Sequence, residues 1–164
     1  GYRELVGEIR AAIPGVSLGT DVIVGSCGET EEEFAGTRAL VEELRFDDVH
    51  IAAYSVRPGT PASRLPDDVP PDVKEARRKK LEAIQERIAT EANGRLLGET
   101  VEVLVEEQVR GRWRGRTRHN KLVFFEDSRQ LAGQLVHVRI TWAGPWSMVG
   151  DPHPFPSPKG RGER

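Results

Sequence analysis

Between Arg110 and Lys121 the chain carries six basic side chains, Arg110, Arg112, Arg114, Arg116, Arg118 and Lys121, and no acidic one. The five arginines occupy alternate positions, with Trp113 among them. In an extended strand, period two places alternate residues on one face. Guanidinium forks grip phosphate oxygens in pairs, and an aromatic ring offers a base a stacking surface. The run therefore reads in two ways: a grip for an acidic partner, or a solvated hairpin with Trp113 in the core.

Other reactive side chains are sparse. Cys27 is the single cysteine, so neither an internal disulfide nor a cysteine-ligated cluster is within reach of this chain. It stands just before a helix start, where a thiol can become more acidic, but no partner cysteine or neighbouring histidine accompanies it. It reads as an incidental free thiol. His50, His119, His137 and His153 lack metal-ligand spacing; His119 lies inside the basic run, and His137 falls out of the apolar phase of its strand.

These residues need elements to position them. The 164 residues suit one ordinary domain or two small ones. With 37% hydrophobic and 30% charged residues and a mean hydropathy of −0.49, the composition is that of a soluble globular chain. No apolar run is long enough to span a membrane, no secretion leader is visible, and the single cysteine fits the reducing cytoplasm expected for this chain. The net charge of −2 conceals an asymmetry: residues 1–69 carry 13 acidic and 6 basic side chains, residues 70–164 carry 13 and 18. An acidic polymer would bind the second part.

Leu5, Val6, Ile9 and Ile13 have helical spacing, and Pro14-Gly15 ends that helix. VSLGTDVIVG and VHIAAYSV read as buried strands, separated by a helix that a Thr30–Glu33 capping box opens and that turns Phe34, Val41 and Leu44 inward. A helical crossover implies parallel strands in an α/β layer. Two parallel strands make an unfinished layer, which another protein or a longer chain would complete. A long helix is expected over 71–93, with Pro71 first, an apolar stripe of Val73, Ala76, Leu81, Ile84 and Ile88, and a basic shoulder of Arg77, Arg78, Lys79 and Lys80. From Thr100 the period becomes two: Val101, Val103 and Val105, and later Val136, Val138 and Ile140, alternate with mostly polar residues. About five short strands suggest a small closed β-barrel of the oligonucleotide-binding kind. The Pro-rich residues 151–164 read as a disordered tail.

Three stretches together, TDVIVGSCGETEEEF (20–34), YSVRPGTPAS (54–63) and GRTRHNKLVFF (115–125), resemble radical-SAM tRNA methylthiotransferases of the MiaB type over about residues 1–150. The third, with Asn120-Lys121 before an apolar strand, resembles the branch that modifies tRNA. The resemblance implies that residues 1–66 are the last β/α units of an incomplete TIM-like radical-SAM barrel. Residues 67–93 would then be a linking loop and helix, and 94–150 an OB-like TRAM barrel that binds RNA. It implies S-adenosylmethionine and 4Fe-4S clusters as cofactors of the full-length family; the CxxxCxxC cluster motif is absent here. It implies a reaction at C2 of an N6-isopentenyladenosine beside the anticodon: hydrogen removal, then sulfur and methyl addition. The partner would be tRNA through its anticodon stem-loop, together with a missing N-terminal half.

Site residues follow from the same resemblance. Ile23 and Gly25, and after them Ser55 and Val56, fall at strand ends where such barrels meet the adenine of S-adenosylmethionine; otherwise Ile23 is plain sheet core and Gly25 ends a strand. Arg57 either meets an anion or braces its loop. Arg112, Trp113, Arg114, Arg116, Arg118, His119, Asn120 and Lys121 would contact RNA. Where the family usually has Gly-Phe-Pro-Gly-Glu-Thr, this chain has Gly25-Ser26-Cys27-Gly28-Glu29-Thr30, a smaller and less rigid turn. Two rivals remain: a free-standing TRAM-type RNA-binding module without catalysis, and a scaffold docking on a chain that carries the cysteines.

Overall fold

The computed structural model describes residues 1–153, which form two compact units, 1–92 and 93 onward.

In the first unit the order is α1 (Tyr2–Ala12), β1 (Gly19–Val24), α2 (Glu31–Leu44), β2 (Asp48–Ala53), a short 3-10 turn (Pro61–Arg64) and α3 (Pro71–Gly94), which runs two residues past the unit's end. The capping box forms as its spacing requires. Thr30 Oγ1 accepts from the Glu33 amide at 3.2 Å, and Glu33 Oε2 accepts from the Thr30 amide at 2.8 Å. Those bonds from Thr30 hold the Glu33 carboxyl below its usual pKa. The crossover through α2 leaves β1 and β2 parallel, paired from Gly19↔Asp48 to Val24↔Ala53. β2 stops before the expected Ser55 and Val56 because β1 ends first. Tyr54 N–H still donates to Val24 O at 2.8 Å, but Gly25 turns away with φ +72, leaving nothing further to pair with.

One face of this two-stranded sheet is covered. Val24 and Val49 pack with Val6, Phe34, Val41, Leu44, Phe46, Leu81 and Ile88. The other face, carrying Asp21, Ile23, His50 and Ala52, is exposed. Parallel sheets are ordinarily covered on both faces.

Helix α3 departs from the expected stripe. Ala76 is exposed and Val73 half-buried, while Lys74, Arg77, Leu81, Gln85 and Ile88 are buried at helical spacing. The polar members are buried because loop groups meet them. Lys74 Nζ donates to Asp67 Oδ1 at 2.5 Å and lies 5.1 Å from the Tyr54 ring centroid. Arg77 Nη1 donates to Glu29 Oε2 at 2.6 Å, its guanidinium 5.3 Å from the Phe34 ring, and Gln85 Nε2 donates to Phe46 O at 3.2 Å. Arg77 is thus a buried strut and not part of a solvated basic shoulder. On α1 only Val6 of the expected stripe is fully buried; Leu5 and Ile13 are exposed.

In the second unit, β3 (Thr100–Val109), β4 (Arg112–Thr117), β5 (Leu122–Phe125), β6 (Leu135–Ala143) and β7 (Met148–Pro152) close into a barrel in the order β3-β4-β5-β7-β6. All neighbours are antiparallel except β5 and β7. The alternating residues meet inside: Val103, Val105, Trp113, Val123, Phe125, Val136, Val138, Ile140 and Met148, with Leu131 from a loop. Gly115 is needed where it stands, since a Cβ there would overlap Leu104 O and Val103 Cγ1. Asp151 and Pro152 belong to β7, so they are strand and not tail; residues 154–164 lie outside the described part.

Candidate nucleic-acid interface and a bare sheet face

The arginine run spans β4 and its two flanking turns. Arg110 and Asn120 adopt left-handed φ of 52° and 58°, which closes the turns on either side. Within β4, Trp113, Gly115 and Thr117 point into the barrel while Arg112, Arg114 and Arg116 point out. The arginines therefore share one face, as period two dictates. Trp113 does not join them. It is 3% exposed and its Nε1–H donates to Asp127 O at 3.0 Å, so its ring presents no surface to a base. The alternation that aligns the arginines sends the residue between them to the opposite side.

Folding also supplies the acids that the run itself lacks. Arg112 Nε lies 3.1 Å from Glu126 Oε1, and Arg114 pairs with Glu107 and Glu106. Arg116 reaches Glu106 at 3.3 Å and the Asn120 carbonyl at 3.1 Å, and Arg118 Nε lies 2.9 Å from Glu102. Each of these four cations already has a carboxylate beside it, so a phosphate must compete for it. Asp127 is gripped twice by Arg129, at 2.9 and 2.5 Å, which holds its carboxyl below the usual range. His119 is exposed in the turn. Lys121 Nζ donates to Asn93 Oδ1 at 2.8 Å, and buried Asn93 donates in turn to Gly144 O at 2.8 Å and Pro145 O at 3.1 Å. This lysine fastens the β6–β7 turn.

Sequence reasoning passed over the aromatics that do face solvent: Trp142, 53% exposed, and Trp146, 59% exposed. Trp142 has the parity of Val136, Val138 and Ile140 and would be read as core. A bulge between Ile140 and Trp142 reverses the phase and turns it out. The signal available was only a tryptophan next to Gly144-Pro145.

On the first unit, Ile23 (56% exposed), Ala52, Ala53, Tyr54, Ser55, Arg57, Thr60 and Ala62 line an open concavity of about 230 Å³. Of the four expected cofactor residues, Ile23 and Ser55 line it; Gly25 and Val56 do not. What approaches Gly25 is the Lys74 stem, whose Cγ a Cβ at position 25 would overlap. The Tyr54 hydroxyl is enclosed beside Cys27. The Cys27 thiol beside it, burial and the Asp67 charge raise the pKa of the Tyr54 phenol, although the pair falls short of hydrogen-bond geometry. Among the described residues no three metal-ligating side chains come together, so an iron–sulfur cluster does not fit here. The concavity offers apolar surface from Ile23, Ala52 and Ala53, hydroxyls from Ser55 and Thr60, and a cation from Arg57, a lining whose chemistry suits an adenine-bearing group. Among the described residues no helix is long and apolar enough to cross a membrane.

Comparison with known proteins covers both units. Residues 94–152 match the TRAM domain family. The chain is 56% identical over 155 residues to the tRNA-2-methylthio-N(6)-dimethylallyladenosine synthase of Chloroflexus aurantiacus, covering 92% of this chain and 33% of that protein. The like-named protein of Roseiflexus sp. is 56% identical over 153 residues, covering 91% and 32%, and that of Acetivibrio thermocellus is 45% identical over 152, covering 91% and 32%. The chain thus spans about a third of the length of the relatives it matches.

Proposed function

We propose that the chain serves as the C-terminal part of a tRNA methylthiotransferase, with residues 93–152 holding tRNA by its anticodon stem-loop and residues 1–66 lining the reaction chamber. The observation that carries this reading is 56% identity over 155 positions, reaching both units, in a chain whose parallel sheet has one bare face. A wall of an incomplete radical-SAM barrel has that form: helices on one side, an open lumen on the other, and Ile23 and Ser55 facing it. S-adenosylmethionine would supply the radical-generating and methyl-donating chemistry. The contribution of Ile23, Ala52 and Ala53 is a dry surface for the adenine, and that of Ser55 and Thr60 hydroxyls at its edge. No cluster is assigned to these residues. Catalysis therefore requires cysteines from elsewhere, and the cytoplasm, where tRNA is modified, is the compartment.

A chimera tests this. The matching third of the Chloroflexus aurantiacus protein is replaced by this chain, and the hybrid is expressed in cells that lack the activity. Mass spectrometry of tRNA nucleosides should detect the 2-methylthio product from the hybrid and none from this chain alone. A well-folded hybrid that binds tRNA but forms no product would overturn the reading.

A further inference from the structure

Resting on the RNA-binding role proposed above, we infer that the outer row Arg114–Phe124–Val149–Trp142, continued by Trp146, is a stacking track for unpaired bases of the bound RNA. The register sets this row. Arg114 lies opposite Phe124, Phe124 opposite Val149, and Val149 opposite Trp142. Buried residues flank the half-buried Arg114, Phe124 and Val149 at 113 and 115, 123 and 125, and 148 and 150, so these three point away from the core, and Trp142 is exposed beside them. At a strand spacing of roughly 4.8 Å the row crosses four strands in about 14 Å. The solvent face of a small antiparallel barrel is ordinarily polar. Here three consecutive members are apolar, two of them aromatic, and the row begins at the arginine strand.

The far end of the track is fixed in place. The Trp142 ring lies against Gly144, where a Cβ would overlap it, and Gly144 N–H donates to Ser147 O at 2.9 Å. The Lys121–Asn93 clasp holds the carbonyls of Gly144 and Pro145 just before Trp146. Rigid indoles lose little freedom when a base stacks on them, which favours stacking over a floppy apolar contact.

Charge argues for a nucleic acid over a protein. Residues 93–153 hold nine Lys and Arg against seven Asp and Glu, and Arg112 and Arg116 flank Arg114, where the row starts. Because Glu106, Glu107 and Glu126 already engage those arginines, phosphate gains less from them than from free cations. Stacking then carries much of the affinity, and the dependence on salt is shallow.

The test uses the full chain and a fluorescein-labelled oligouridylate 12-mer, with a duplex of equal length for comparison, followed by anisotropy at several salt concentrations. The wild type should prefer the single strand. Trp142→Ala should weaken single-strand binding about tenfold, the loss of one stacked base. It should leave the salt slope and the duplex affinity unchanged, while Trp142→Phe stays within about twofold of wild type. Replacing Arg112, Arg114 and Arg116 by Ala together should flatten the slope by less than the roughly two units that three unopposed phosphate contacts would give. If the wild type binds but Trp142→Ala, folded by near-UV circular dichroism, binds equally well, the track is wrong and the RNA-binding role stands. If the wild type binds neither RNA, that role fails, and the track with it.

Discussion

The two units contain sheets of opposite kinds. The first has a parallel pair with helices on one face and solvent on the other, so Ile23 and Ala52 are apolar residues without a cover. The second has five strands closed on themselves, so every strand finds two neighbours and every inward side chain an enclosed place. Closure removes edges; a two-stranded parallel layer leaves two. Apolar surface that a barrel would bury is in the first unit available to a ligand or to further strands. In the second unit exposed apolar surface appears only on the outside, where burial cannot explain it. Position relative to closure is what separates a buried apolar residue from an exposed one here.

The comparison is broken most readily at Trp113 and Ile23, two large apolar side chains of opposite status. Trp113→Ala should cost the barrel about 4 kcal/mol, through the lost burial and the cavity left behind. Ile23→Ala should change stability by about 0.5 kcal/mol or less, as surface substitutions do. Urea unfolding followed by tryptophan emission isolates the barrel, since all three tryptophans lie in it; amide exchange of β1 and β2 reports the first unit. A costly Ile23→Ala would mean that the bare face is not bare.

A second contrast lies within α3. Arg77→Ala leaves the largely enclosed Glu29 carboxylate with the Gly25 amide but without its cation, and should cost about 3 kcal/mol, the order seen when one partner of a buried ion pair is removed. Arg78→Ala breaks pairs with Glu75 and Glu82 at the surface and should cost about 0.5 kcal/mol. Exchange rates of the α2 amides would register the difference, and equal costs would remove the distinction between strut and shoulder.

The smallest effect is set by pH. Asp127 is depressed by its Arg129 bonds, so its folded pKa lies below the ordinary 3.8. The stability this contributes is present above the unfolded value and is lost as pH falls through the folded one. Asp127→Asn should therefore lower barrel stability slightly at pH 7 and weaken its decline below about pH 4. An unaltered acid limb would show that the Asp127–Arg129 bonds do not hold in solution.

Much of this was legible in the chain itself, for local reasons. Thr30 and Glu33 satisfy each other's amides across three residues, so the start of α2 needs no distant partner. Val103, Val105, Val136 and Val138 share a phase that only a two-sided sheet satisfies, and all four are core. Even the place of Trp113 was implicit, because the period that aligns Arg112, Arg114 and Arg116 excludes the residues between them.

Tertiary structure decided the rest. That Lys74 and Arg77 are buried depends on Asp67 and Glu29 arriving from loops seven and forty-eight residues away in sequence. That the arginine face is largely neutralised depends on acids of β3 and of the segment after β5, which lie beside β4 only once the strands have paired. That Trp142 faces outward depends on one extra residue in β6, a bulge no alternation announces. Periodicity records which face of an element a residue occupies; it holds no record of what the folded chain sets against that face.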